Sequence, residues 1–120
     1  KAITGPIMTT RSKPELCNAS DSNPAILSRH GIMTAICTDY NVMPIGLLPV
    51  CAGMAVREGM DYMQALAAIT IHAAQIVGID ERVGSLKVGK DADFSVSSCD
   101  PLTLAAKPCL VSINGNIVKS

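Results

Sequence analysis

The chain has 120 residues, and its ten basic and ten acidic side chains give a formal net charge of zero. The chain therefore has no excess of positive charge that would indicate binding to nucleic acid or to an anionic membrane. Apolar residues make up 48% of the composition, which fits a folded domain, and no apolar run approaches the roughly 20 residues of a membrane span. We therefore expect neither nucleic-acid nor membrane partners.

The five cysteines are an odd number, widely spaced and without a C-x-x-C pair, at Cys17, Cys37, Cys51, Cys99 and Cys109. This usage argues against a disulfide scaffold and against a zinc knuckle. It predicts small buried apolar side chains in a reducing compartment, and so a cytoplasmic protein. The first residues have no signal-peptide pattern and no initiator Met, from which we expect a chain cut from a longer one.

The first part of the chain has the sequence pattern of an α/β fold. Lys1–Thr4 is a short strand ended by Gly5, and a polar loop follows. The run Ser20-Asp21-Ser22-Asn23-Pro24 is dense in helix-capping residues and predicts a helix over Pro24–His30. The apolar run Ile32–Cys37 has the length of a strand buried on both faces, as in a parallel sheet.

Three helices are predicted next. Apolar residues recur at helical spacing over 47–58. Asp61 and Gln64 have capping-box spacing, which begins a second helix that extends to about Ile69. Thr70 is expected to cap a third helix over 71–77, which Gly78 ends.

After Gly78 the pattern changes to short strands. Apolar β-type runs occur at 94–96, 110–113 and 117–118, and Asn114-Gly115 is a strong signal for a hairpin with a type I′ turn. The sequence thus predicts an α/β part over residues 1–80 and an all-β part over residues 81–120.

Asp39 is the main candidate for chemistry because it follows the predicted buried strand directly. Parallel α/β folds place catalytic groups at the carboxyl ends of their strands, where a carboxylate can bind a metal and accept a proton. The alternative is a turn aspartate that bonds local backbone. Arg11 and Lys13 follow the first strand and would hold a substrate carboxylate if both strands join one sheet. The alternative for this pair is a solvated polar loop.

The two histidines do not complete a metal site. His30 precedes the buried strand and is expected at a surface or a helix end, and His72 is expected to pack or cap in the first turn of a helix.

The segment Gly84-Ser85-Leu86-Lys87-Val88-Gly89-Lys90-Asp91-Ala92-Asp93-Phe94-Ser95-Val96 closely resembles the G-S-L-x-x-G-K-x-A-D-[FL]-x-V signature of the amidohydrolase superfamily. Thr70-Ile71-His72-Ala73-Ala74 is similar to the T-x-N-x-A helix start of that family, with His72 in place of Asn. The loop from Gly5 to Asn18 looks like that of the imidazolonepropionase- and prolidase-like branch.

The resemblance implies the last two β/α units of a TIM-type barrel plus a small all-β segment, which would be part of a β-sandwich. It implies a parent enzyme that hydrolyses C–N bonds of an amide, cyclic amide or dipeptide with metal-activated water. It makes Asp39 both a catalytic residue and a metal ligand, and it implies a divalent metal, with zinc as the expected ion, as the cofactor. Arg11 and Lys13 are the candidate substrate-binding residues because of their position after the first strand.

The chain lacks several motifs of the family, and their absence leads to an alternative function. The family's His-x-His motif, its bridging Lys or Glu and its other histidine ligands have no counterparts here, and a barrel needs about 250 residues. We therefore expect the isolated chain to be inactive, with a homo-oligomer or the missing barrel half as its partner. The alternative function is a non-catalytic remnant or a self-associating α/β module without metal.

Overall fold

The computed structural model describes residues 1–11 and 13–119. Two short 3₁₀ turns, Pro14–Leu16 and Ile45–Leu47, interrupt the regular elements, which in chain order are β1 (Ala2–Thr4), α1 (Asn23–Arg29), β2 (Thr34–Ile36), α2 (Leu48–Arg57), α3 (Tyr62–Ala68), α4 (Ile71–Val77), β3 (Phe94–Ser97), β4 (Pro108–Ile113) and β5 (Asn116–Lys119). The predicted α/β fold with a later all-β segment is present. No helix in the described part of the chain is long and apolar enough to cross a membrane.

Strands β1 and β2 form a two-stranded parallel sheet in which Ala2 pairs with Thr34 and Thr4 with Ile36. All three residues of β2 are buried, as the apolar run predicts. The strand is shorter than the predicted Ile32–Cys37 because Ile32 is still hydrogen-bonded to the last turn of α1. Its N–H donates to the Leu27 carbonyl at 3.1 Å, and its side chain is exposed.

The helices pack on β2 through small side chains. The buried face of α2 consists of Cys51, Ala52 and Ala55. These residues share one core with Ile36 of β2 and with Leu102 from the loop after β3. Close approach is possible because the side chains are short, and a core almost without aromatic residues is filled in this way.

The ends of α3 and α4 differ in how they are capped. Asp61 accepts a hydrogen bond from the Gln64 N–H at 3.0 Å, as its spacing predicts. Thr70 occupies the predicted N-cap position of α4, but its side chain makes no capping bond, so this part of the prediction is wrong. Its hydroxyl instead donates to the Leu66 carbonyl at 2.7 Å, because α3 ends so close that this carbonyl is within reach.

The later strands form a separate antiparallel sheet in the order β3-β4-β5. Asn114 and Gly115 connect β4 to β5 with φ angles of 51° and 77°, which are the left-handed values of the predicted type I′ turn. The Asp93 carboxylate accepts the Asn114 N–H at 2.7 Å. An aspartate of the family-like signature therefore holds the hairpin in place.

The cysteines are free, but only one is fully buried. Cys51 lies in the core and Cys37 is half-buried, whereas Cys17, Cys99 and Cys109 are exposed. The prediction of burial is wrong for these three because Cys17 and Cys99 lie in loops and Cys109 lies on a solvent-facing position of β4. Burial raises the pKa of the Cys51 thiol.

Candidate functional site

The site is built where the two parallel strands end. The Cys37 N–H donates to the Thr4 carbonyl at 3.0 Å, which extends the pairing one step past the strands. Since β1 and β2 are parallel, the residues after Thr4 and after Ile36 leave the sheet at the same edge. This is the edge at which α/β folds collect their functional side chains.

Gly5 makes the close approach of the two chain segments possible. A Cβ atom at this position would lie 2.1 Å from the Cys37 carbonyl oxygen, and the φ angle of Gly5 is +141°. Neither the space nor the backbone conformation suits any other residue. The requirement for Gly5 thus follows from the contact between the two strand ends.

Asp39 lies two residues beyond this contact, in an exposed tight turn. Its φ angle is 49°, a left-handed value that Asp tolerates better than most residues. The turn is closed by the Val42 N–H, which donates to the Asp39 carbonyl at 2.8 Å. Asp39 therefore lies in a turn next to the strand end, and the bond that closes this turn uses its backbone carbonyl and not its carboxylate.

A cavity of about 620 Å³ opens at this edge and brings the three candidate residues together. Asp39 contributes to its lining, as do Arg11 and Lys13, both of which are exposed. The cavity has two basic lining residues, Arg11 and Lys13, and four acidic ones, Glu15, Asp21, Asp39 and Glu58. It therefore presents charges of both signs to a small polar ligand.

The acidic residues of the cavity do not amount to a complete metal site. Among residues 1–11 and 13–119, no group of three His, Cys, Asp or Glu side chains is placed to hold an ion. Catalytic metal sites use about three protein ligands. Asp39 is a hard oxygen donor at the carboxyl end of the strands, so the described residues can supply one ligand of a metal site.

The histidines lie outside this arrangement. His30 follows the last residue of α1 and is exposed, in agreement with the predicted helix-end position. His72 lies in the first turn of α4 and is half-buried. Its Nδ1 atom is buried and makes no hydrogen bond to any described residue.

Asp21 is a cavity residue that the sequence pattern does not single out. Its carboxylate accepts the Met8 N–H at 3.0 Å across 13 positions of the chain. The pattern around it indicates helix capping, yet Ser22, at the cap position of α1, makes no such bond, and its hydroxyl pairs with that of Ser20 at 2.8 Å. Nothing in the local sequence shows that Asp21 reaches the loop after β1.

Comparison with known proteins defines the class of the chain. Residues 10–119 match the Amidohydrolase family. The chain is 32% identical over 105 residues to an imidazolonepropionase from Shewanella oneidensis, over 78% of this chain and 25% of that protein. It belongs to the amidohydrolase family, in the imidazolonepropionase-like branch.

Two solved structures are similar to this one. An amidohydrolase from Thermotoga maritima superposes with a TM-score of 0.92 at 34% identity, over 97% of this chain and 30% of that chain. An adenosine deaminase from Xanthomonas campestris, solved with bound zinc, gives a TM-score of 0.61 at 25% identity, over 80% of this chain and 28% of that chain. The chain thus spans between a quarter and a third of the length of these relatives.

Proposed function

We propose that this chain supplies the last two β/α units of a TIM-type barrel, together with part of a β-sandwich, to a metal-dependent amidohydrolase. The reaction is hydrolysis of a C–N bond in an amide, a cyclic amide or a dipeptide. The observation that carries the proposal is the position of Asp39, a carboxylate in a cavity at the carboxyl edge of two parallel strands. Membership of the amidohydrolase family supports the same reaction class.

The division of the chain follows from this proposal. Residues 1–80 belong to the barrel and residues 81–120 to the sandwich. The two parts are packed together, since Leu102 is buried in the same core as α2.

The residues of the cavity have distinct roles in this proposal. Arg11 and Lys13 hold a carboxylate of the substrate by charge-assisted hydrogen bonds. Asp39 accepts a proton from the attacking water and passes it to the leaving nitrogen. A divalent metal, which we propose to be zinc, would when bound polarise the scissile carbonyl and lower the pKa of the attacking water. Asp39 would be one of its ligands.

A second candidate is a self-associating α/β module without catalytic activity. The observation that favours it is the surface of β1, where the Ile3 side chain is 58% exposed on a strand that pairs with β2 alone among the described strands. An apolar strand with a free edge is a template for pairing with another chain.

A chimera separates the two candidates. The chain would replace the segment on which it superposes in the Thermotoga maritima amidohydrolase, and metal content and hydrolysis of an amide panel would be measured. We expect turnover that Asp39→Ala abolishes, whereas Asp80→Ala, which removes a carboxylate outside the cavity lining, leaves it unchanged. The chain alone with added zinc or manganese should show no turnover.

Retention of turnover by the Asp39→Ala chimera would contradict the proposed role of Asp39. A folded chimera that binds no metal and shows no turnover would favour the non-catalytic candidate.

A further inference from the structure

The loop between β1 and Arg11 is fixed at two points before it reaches the cavity. Ile7 is 3% exposed and belongs to the hydrophobic core, so it anchors the start of the loop. Met8 then turns the chain away with a φ angle of +63°. A methionine in the left-handed region is unfavourable, and such a conformation persists only where neighbouring contacts impose it.

Asp21 supplies a contact of this kind. Its Oδ1 atom accepts the Met8 N–H at 3.0 Å, from the turn that leads into α1. The acceptor is a carboxylate, and hydrogen bonds to a charged group are stronger than those between neutral groups. Asp21 is half-buried and lines the same cavity as Arg11 and Lys13.

The charge of Asp21 and its hydrogen bond have opposite consequences for an anionic ligand. A carboxylate in the cavity repels a second carboxylate bound nearby. The bond to Met8, in contrast, holds the turn from which the chain continues over three residues to Arg11. If the hydrogen bond matters more, removal of the acceptor weakens anion binding although it also removes a repulsive charge.

We propose that Asp21 is a positioning residue for the substrate carboxylate. It acts through the Met8 N–H, which sets the path of the loop that carries Arg11 and Lys13. The inference rests on the proposed function, because it assumes that these two side chains bind a carboxylate. It adds that the binding geometry is set by a third residue, which does not touch that carboxylate.

The test compares two substitutions in the whole 120-residue chain. Asp21→Asn removes the charge but keeps a side-chain oxygen that accepts the Met8 N–H, and Asp21→Ala removes both. The probe is N-acetylglycine, a small molecule with one amide and one carboxylate, titrated while amide chemical shifts are followed by NMR. No metal or turnover is needed for this measurement.

We expect Asp21→Ala to weaken binding about threefold to tenfold, the equivalent of one hydrogen bond. Asp21→Asn should remain within about twofold of the original chain or bind more tightly. Hydrogen exchange at the Met8 amide should accelerate in Asp21→Ala and remain slow in Asp21→Asn, with the Ala35 amide of β2 as the control for folding. If Asp21→Ala does not fold, Asp21→Ser takes its place, because its shorter side chain does not span the distance to Met8.

The outcomes separate this inference from the proposed function. Binding that Asp21→Ala leaves unchanged or strengthens would overturn the positioning role alone, as would an equal loss in both variants. A chain that does not bind N-acetylglycine, or that binds it equally well after Arg11→Ala and Lys13→Ala, would overturn the carboxylate site and the positioning role together.

Discussion

At the scale of single residues, Gly5 determines how closely the two strand ends meet. A Cβ atom added at Gly5 would lie 2.1 Å from the Cys37 carbonyl oxygen. At Gly31, where the φ angle is +71°, an added Cβ atom would meet only open space. We expect Gly5→Ala to lower the free energy of unfolding by about 3 kcal/mol or more, from overpacking and backbone strain together. Gly31→Ala should cost only about 1 kcal/mol, from strain alone. Urea denaturation measures both, and equal losses would show that the contact at Gly5 can relax.

Tyr62 provides a pH-dependent signal for the link between α3 and the loop after β3. Its hydroxyl donates to the Asp100 carboxylate at 2.8 Å, and this hydrogen bond raises the pKa of Tyr62 above its ordinary value of 10.0. The bond needs the protonated phenol, so its stabilisation is complete below about pH 10. It is lost as the pH rises through the higher pKa of the folded state.

An ultraviolet titration of the folded chain tests this link. We expect one tyrosine to ionise above the ordinary range and to return to it in Asp100→Ala. Tyr62→Phe should remove that ionisation step. A step that is unchanged in Asp100→Ala would show that the two side chains are not bonded in solution.

At the scale of secondary structure elements, the two helix starts at Asp61 and Thr70 allow a direct comparison of a residue that caps with one that does not. Asp61→Ala removes a capping bond to the Gln64 N–H and should destabilise the chain by about 1 kcal/mol. Thr70→Ala removes a hydroxyl that bonds backwards to Leu66 and caps nothing, so we expect a cost of less than about 0.5 kcal/mol. Thermal or urea unfolding of the two variants measures the difference. A larger loss for Thr70→Ala would indicate that its bond to Leu66 supports the junction between α3 and α4.

The elements that the sequence predicts well are those set by local chemistry. Asn114-Gly115 forms the predicted hairpin turn because left-handed φ angles at two successive positions are a local requirement. Asp61 caps α3 for the same reason, since its partner is three residues away. Thr70 has the residue type of a cap, yet the nearby end of α3 offers its hydroxyl a different acceptor, and the residue type alone does not show this.

The sequence predicts that three of the cavity residues lie close together, but it does not predict Asp21 or its contact with the loop after β1. Asp39, Arg11 and Lys13 follow two strands, and the parallel pairing of those strands brings all three to one cavity. The bond between Asp21 and Met8 spans 13 residues of irregular loop, where no periodicity relates sequence distance to spatial distance. The core position of Ile7 fixes only the start of this loop, and the bond to Asp21 acts on the residues that follow it.

At the scale of the whole molecule, the parallel sheet is left with free edges. Among the described strands, β2 pairs with β1 alone, and the later strands form their own sheet, so β2 has no second partner among them. Each buried backbone group without a hydrogen bond costs about 1–3 kcal/mol. Pairing with another chain satisfies these groups, and natural proteins otherwise protect such edges with charged side chains.

We therefore expect the chain to self-associate, with an average mass above its 12.5 kDa at tens of micromolar concentration. Ile3→Lys places a charge on β1, where the side chain is 58% exposed, and should lower the average mass towards that of the monomer. Leu86→Lys introduces the same charge at a side chain that is 75% exposed and lies outside both sheets, so it should leave association unchanged. Light scattering across a concentration series measures all three chains. A monodisperse 12.5 kDa species whose Thr34–Ile36 amides resist hydrogen exchange would contradict the prediction, because two paired strands would then protect their edges without a partner.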